Sequence, residues 1–135
     1  MTIFSKVGCI SFCVLAIFGL SNVASADSRI VQVWNCTLKD GKSVDDAKAI
    51  HGKWKAWANH QPYGAKIGAR VATPLVSSNV SAGTLLMIDV FPNLEAYAAD
   101  ATAIDGTKEG QSLLAQFSEV LDCQSNALYM ESDSE

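Results

Sequence analysis

Two side chains in this 135-residue chain are placed to move protons. Asp89 is the lone carboxylate of the run Thr84 to Phe91 (TLLMIDVF), flanked two residues away by Met87 and Phe91. Apolar surroundings raise a carboxyl's pKa and make it a usable base. A salt bridge to Arg70, or exposure at a strand end, is the plainer alternative. His51 falls one position off the apolar stripe of a helical segment, where an imidazole titrating near neutrality reaches the mouth of a pocket. The plainer alternative is a partly exposed helix histidine. No serine elbow, glycine-rich phosphate loop or haem-attachment motif accompanies them. No metal is expected, because neither the cysteines nor His51 and His60 have ligand spacing.

Large flat side chains supply a possible binding surface. Trp34 and Gln32 share one face of a strand-like segment, and Trp54 and Trp57 recur at helical spacing. The last pair reads first as core, with Trp54 also a candidate ligand wall.

These residues need elements to hold them. Arg29 to Leu38 is rich in β-branched and aromatic residues and reads as a strand. Ser43 followed by Asp46 is a capping-box start for a helix that runs to about His60, stopped by Pro62 and Gly64. Ala65 to Ser77 reads as a second strand with Pro74 at an edge or bulge, and Thr84 to Phe91 as the clearest strand. Pro92 ends that strand, and Asn93 caps a helix from Leu94 to about Ala103. Asp105-Gly106 breaks the chain before a second helix from Lys108 to Leu121, and Gln124 to Glu131 closes it as a strand. The order β-α-β-β-α-α-β specifies an α+β ferredoxin-like sandwich, a four-stranded antiparallel sheet with helices on one face.

The N-terminus has the form of an export signal: Lys6, an uncharged apolar run from Val7 to Leu20, and Ala24-Ser25-Ala26 as a cleavage site. Cleavage is expected after Ala26, giving a signal peptide at 1–26 and one domain at 27–135, in the periplasm or secreted, with no membrane association after cleavage. The net charge of −4 and absence of a basic patch argue against nucleic acid. Of four cysteines, Cys9 and Cys13 leave with the signal. Cys36 and Cys123 remain; an oxidising compartment favours their pairing, and two free buried thiols are the plainer alternative. The topology puts the first strand beside the last, which brings them to the same end of neighbouring strands.

Counting back from that disulfide puts Gln32 and Trp34 on one face with Tyr129, and the alternation of the third strand adds Asp89. This face is expected to be the helix-free one, with Val31, Val33, Leu128 and Met130 packing beneath the helices. A surface so apolar calls for cover, and self-association across it encloses a pocket.

The element order resembles the dimeric α/β-barrel superfamily, which includes antibiotic-biosynthesis-type monooxygenases and stress-responsive barrel proteins. The most similar stretch is GTLLMIDVFPNLEAYAADATAI continuing into GQSLLAQFSEVLDC. The resemblance implies a homodimer around a pocket for a flat, largely apolar compound. It also implies chemistry without metal or flavin, among side chains such as those of His51, Trp54, Trp57, Asn59, His60, Tyr63 and Arg70, and no cofactor is expected. Two functions follow. One is an exported module that binds a small apolar or aromatic molecule, through Trp34, Gln32, Asp89, Tyr129 and Trp54. The other is a cofactor-independent monooxygenase or isomerase with Asp89 or His51 handling protons. Convergence of Asp89, His51 and Trp34 on one cavity separates the second from the first.

Overall fold

The computed structural model describes residues 28–64, 66–75 and 81–132. The signal peptide read at 1–26 and the end of the second predicted strand lie outside them.

Seven elements follow the expected order: β1 (Arg29–Leu38), α1 (Val44–Asn59), β2 (Gly68–Ala72), β3 (Thr84–Phe91), α2 (Leu94–Gly106), α3 (Lys108–Val120) and β4 (Leu121–Glu131). The strands form one antiparallel sheet in the order β2-β3-β1-β4, the ferredoxin-like arrangement. Among the described residues no helix is long and apolar enough to cross a membrane.

Local chemistry explains the boundaries. Ser43 and Asp46 close a reciprocal capping box at the start of α1, and the Asn93 side chain accepts from the Ala96 N–H to start α2. β2 ends at Ala72, two residues before Pro74, which has no N–H to give to a ladder. α2 continues through the expected Asp105-Gly106 break to Gly106, because Thr107 serves both helices. Its backbone N–H caps α2 on the Ala103 carbonyl, and its side-chain oxygen accepts from the Gly110 N–H at 3.0 Å to start α3.

The α2–α3 elbow is tight enough to require glycine. A Cβ on Gly110 would lie 2.3 Å from the Ile104 carbonyl oxygen and 2.6 Å from its Cα. Backbone atoms cannot swing aside as a side chain would, so the helices would have to part. Gly110→Ala should lower stability by about 1–3 kcal/mol, net of the helix-propensity gain. An unchanged urea midpoint would refute this account of the elbow.

All three helices cover one face of the sheet, and it is the opposite face from the expected one. Ile30, Gln32, Trp34 and Cys36 of β1 pair with Phe91, Asp89, Met87 and Leu85 of β3, and paired residues share a face. Ile30, Cys36, Leu85, Met87 and Phe91 are buried in the core, packed with Ala47, Trp54, Ala58 and Leu121. The open face instead carries Val31 and Val33 with Leu86, Ile88 and Val90, all half-buried. Both faces of β3 are apolar, so hydropathy alone did not distinguish them.

A second correction concerns β4. Asn35 pairs with Ser125 but Cys36 pairs with Cys123, so Gln124 is surplus. This bulge moves the rest of the strand by one residue, and a shift of one exchanges faces. Tyr129 therefore pairs with Val31 on the open face, 56% exposed, away from Trp34. Leu128 and Met130 pair with Gln32 and Ile30 on the helix side, toward the open edge of the sheet. The expected Cys36–Cys123 disulfide is present and joins β1 to β4 across 87 residues of sequence.

Candidate active site

A cavity of about 550 Å³ lies between the sheet and the helices of a single chain, a volume typical of small-molecule sites. β1 and β3 supply its floor through Gln32, Trp34, Met87 and Asp89. α1 gives His51 and Trp54, while α2 and α3 give Tyr97, Asp100, Ile104, Leu114 and Phe117. Most of the residues expected around a pocket at a dimer interface instead line this cavity within the protomer. Trp34, Gln32, Asp89, His51 and Trp54 all line it, and Tyr129 does not.

Asp89 is the hub. It is 6% exposed, and its Oδ1 lies 2.5 Å from His51 Nε2 while its Oδ2 accepts from Trp34 Nε1 at 3.1 Å. An ionised carboxylate accepts both bonds, which puts the hydrogen of His51 on Nε2 and the lone pair on Nδ1. His51 is also more buried than expected, at 3% exposed. It belongs to the buried face of α1 with Ala47, Trp54 and Ala58, stacked on Trp54 at 5.5 Å and edge-on to Phe117 at 6.3 Å. Packing on two rings and a carboxylate fixes the imidazole plane, as a positioned base requires. The alternative salt bridge to Arg70 is absent, because Arg70 pairs with Ile88 and Asp89 with Ala69, on opposite faces of the sheet. Gln32 faces Asp89 across the β1–β3 ladder, and both line the cavity floor.

Asp100 completes the site and was not read from the sequence. It is 6% exposed and accepts from the Tyr63 hydroxyl at 3.3 Å and from the Trp54 side chain. Burial pushes its carboxyl up to about 6, and the nearby Asp89 adds to the shift. Burial likewise holds the Tyr63 hydroxyl well above its ordinary range, with the charge of Asp100 a smaller cause. The available signal was the spacing Tyr97, Asp100, Ala101, Ile104: one helical stripe with a carboxylate in it.

The raised carboxyl ties stability to pH. Folded Asp100 binds its proton more tightly than the unfolded chain, whose carboxyl titrates near 3.8. Its contribution is therefore full below that value and is lost as pH rises through about 6. Asp100→Asn should gain about 2–3 kcal/mol relative to wild type between pH 3.5 and 7.5. Parallel urea titrations at both pH values test this, and an unchanged difference would refute it.

Other candidates have structural work. The Asn59 side chain brackets the backbone of Ile67, donating to its carbonyl at 3.2 Å and accepting from its N–H at 2.9 Å. His60 Nδ1 lies 2.6 Å from the Ala56 carbonyl at the exposed end of α1, and Trp57 packs against the core. Among the described residues no cluster of three or more His, Cys, Asp or Glu is arranged to hold a metal ion.

Comparison with solved structures places this architecture. SnoaB of Streptomyces nogalater, described as a cofactor-independent oxygenase, superposes with a TM-score of 0.53 at 8% identity, over 79% of this chain and 96% of that one. The Arabidopsis thaliana protein At3g17210 gives 0.52 at 14% identity, over 80% and 96%. A Caulobacter crescentus protein named as a candidate antibiotic biosynthesis monooxygenase gives 0.51 at 12% identity, over 82% and 93%. At these identities the likeness is one of fold: the chain has the ferredoxin-like α+β fold of these proteins. No family model and no curated protein matches the sequence.

Proposed function

We propose that this protein is an enzyme that removes a proton from a small, flat, largely apolar compound, as a cofactor-independent oxygenase or isomerase does. The observation that carries this reading is the 2.5 Å contact between His51 and Asp89 at the wall of an aromatic-lined cavity. His51 Nδ1 takes the proton, and Asp89, held by Trp34, stabilises the imidazolium that forms. The Gln32 amide offers a hydrogen bond to the oxygen on which negative charge develops. The fold shared with SnoaB, itself described as a cofactor-independent oxygenase, supports the oxygenase form.

The test uses phenols, naphthols and cyclic 1,3-diketones in D2O, with proton NMR for C–H exchange and an oxygen electrode for uptake. Exchange above the buffer rate is expected. Accompanying oxygen uptake identifies an oxygenase, and exchange without uptake an isomerase. Saturable binding with neither would overturn the catalytic reading in favour of a binding module.

The enzyme acts after export and as a homodimer. Export rests on the leader through Ala26 and suits the Cys36–Cys123 disulfide. The dimer rests on the open sheet face, where Val31, Val33, Leu86, Ile88 and Val90 are left half-covered. Native mass spectrometry of the secreted protein should show twice the mass of the chain beginning at Asp27, less two hydrogens per protomer. A monomeric mass, or a retained leader, would overturn the corresponding claim.

A further inference from the structure

The two buried carboxylates of the cavity are balanced differently. Asp89 faces the His51 imidazole, whereas among the described residues no lysine, arginine or histidine pairs with Asp100. Its partners are the neutral Tyr63 hydroxyl and Trp54 side chain, and the charge that acts on it is that of Asp89, of the same sign. The cations of the region are engaged elsewhere. The Lys39 ammonium at the rim is held by the Ser118 carbonyl, Arg29 pairs with Glu131, and Arg70 is on the open face. Asp105 and Asp122 also line the cavity, so carboxylates outnumber ammonium groups along its wall.

A buried carboxylate supplied only with neutral donors is costly to ionise, and a cation entering the cavity would recover that cost. The remaining wall suits an organic cation rather than a metal ion. Trp54, Tyr97 and Phe117 line the same cavity as Asp100, and ring surface attracts an ammonium group while packing against an aromatic body. We propose that the cavity binds a primary arylalkylamine, with its ammonium group on Asp100 and its ring against Trp54, Tyr97 and Phe117. This rests on the reading of the cavity as a ligand site, and it names the class of compound that enters.

Isothermal titration calorimetry at pH 7.5 tests it with three probes of one shape: 2-phenylethylamine, 2-phenylethanol and phenylacetate. Wild type should bind the amine at least about tenfold more tightly than the alcohol, and phenylacetate most weakly. Asp100→Asn should erase the gap between amine and alcohol while still binding the alcohol, and Asp100→Ser gives the same reading should the asparagine variant fail to fold. Asp45→Asn removes the same charge from an exposed site, 91% accessible, and should keep the preference. Equal binding of amine and alcohol, or a preference that survives both Asp100 variants, would overturn the proposal and leave the cavity a site for neutral rings. Failure of all three probes to bind wild type would overturn this proposal and the ligand-site reading together.

Discussion

His51→Ala should lower the rate of catalysed proton exchange by about a hundred- to ten-thousand-fold, the range spanned by positioned general bases. The ring is buried between Trp54, Phe117 and Asp89, and no other imidazole lines the cavity. Asp89→Asn is the more discriminating variant, because it keeps the shape and one acceptor while removing the charge. As a positioning residue, Asp89 should affect kcat more than KM. A purely structural role would instead lower the amount of folded protein and leave kcat per folded molecule unchanged. Unchanged exchange in His51→Ala would remove His51 as the base.

Loss of the disulfide should produce a comparable effect on stability. The bridge closes 87 residues of chain, and loop-closure models value such a constraint at about 4 kcal/mol. It also fastens an exposed edge strand, since β4 pairs only with β1. Cys36 is fully buried and Cys123 exposed, so a reductant can reach the bond without prior unfolding. The Cys36→Ala/Cys123→Ala chain, and wild type in dithiothreitol, should both unfold at markedly lower urea than the oxidised protein. Coincident transitions with and without reductant would show that the bridge adds nothing.

The elements were legible because their signals are local. Ser43 with Asp46, Pro92 with Asn93, and the run TLLMIDVF each carry their own start or stop. The cysteine pairing was legible for another reason: topology and redox chemistry reached it independently. The site was half legible. Asp89, His51, Trp34, Gln32 and Trp54 were named, and they do meet at one cavity, but on the side of the sheet opposite to that expected. Leu86, Ile88 and Val90 form an apolar set yet face outward, while the polar Gln32 and Asp89 lie beneath the helices. Hydropathy cannot tell an open aliphatic face from a core when the core contains a polar cavity. Tyr129 was lost to the bulge, which no glycine or proline announces, and Asp100 to a stripe whose carboxylate breaks the apolar count.

The surplus residue in β4 also sets where this chain can change length. Cys123 and Leu128 are an odd number of positions apart yet lie on the same side of the sheet, which a regular strand would not allow. Trimming Gln124 would leave a regular strand with every neighbour on its present side. Trimming Ala127 instead would turn Leu128 and Met130 to the opposite side while the cysteines stayed in place. Single-residue deletions along β4 should therefore be tolerated at 124 and resisted further along.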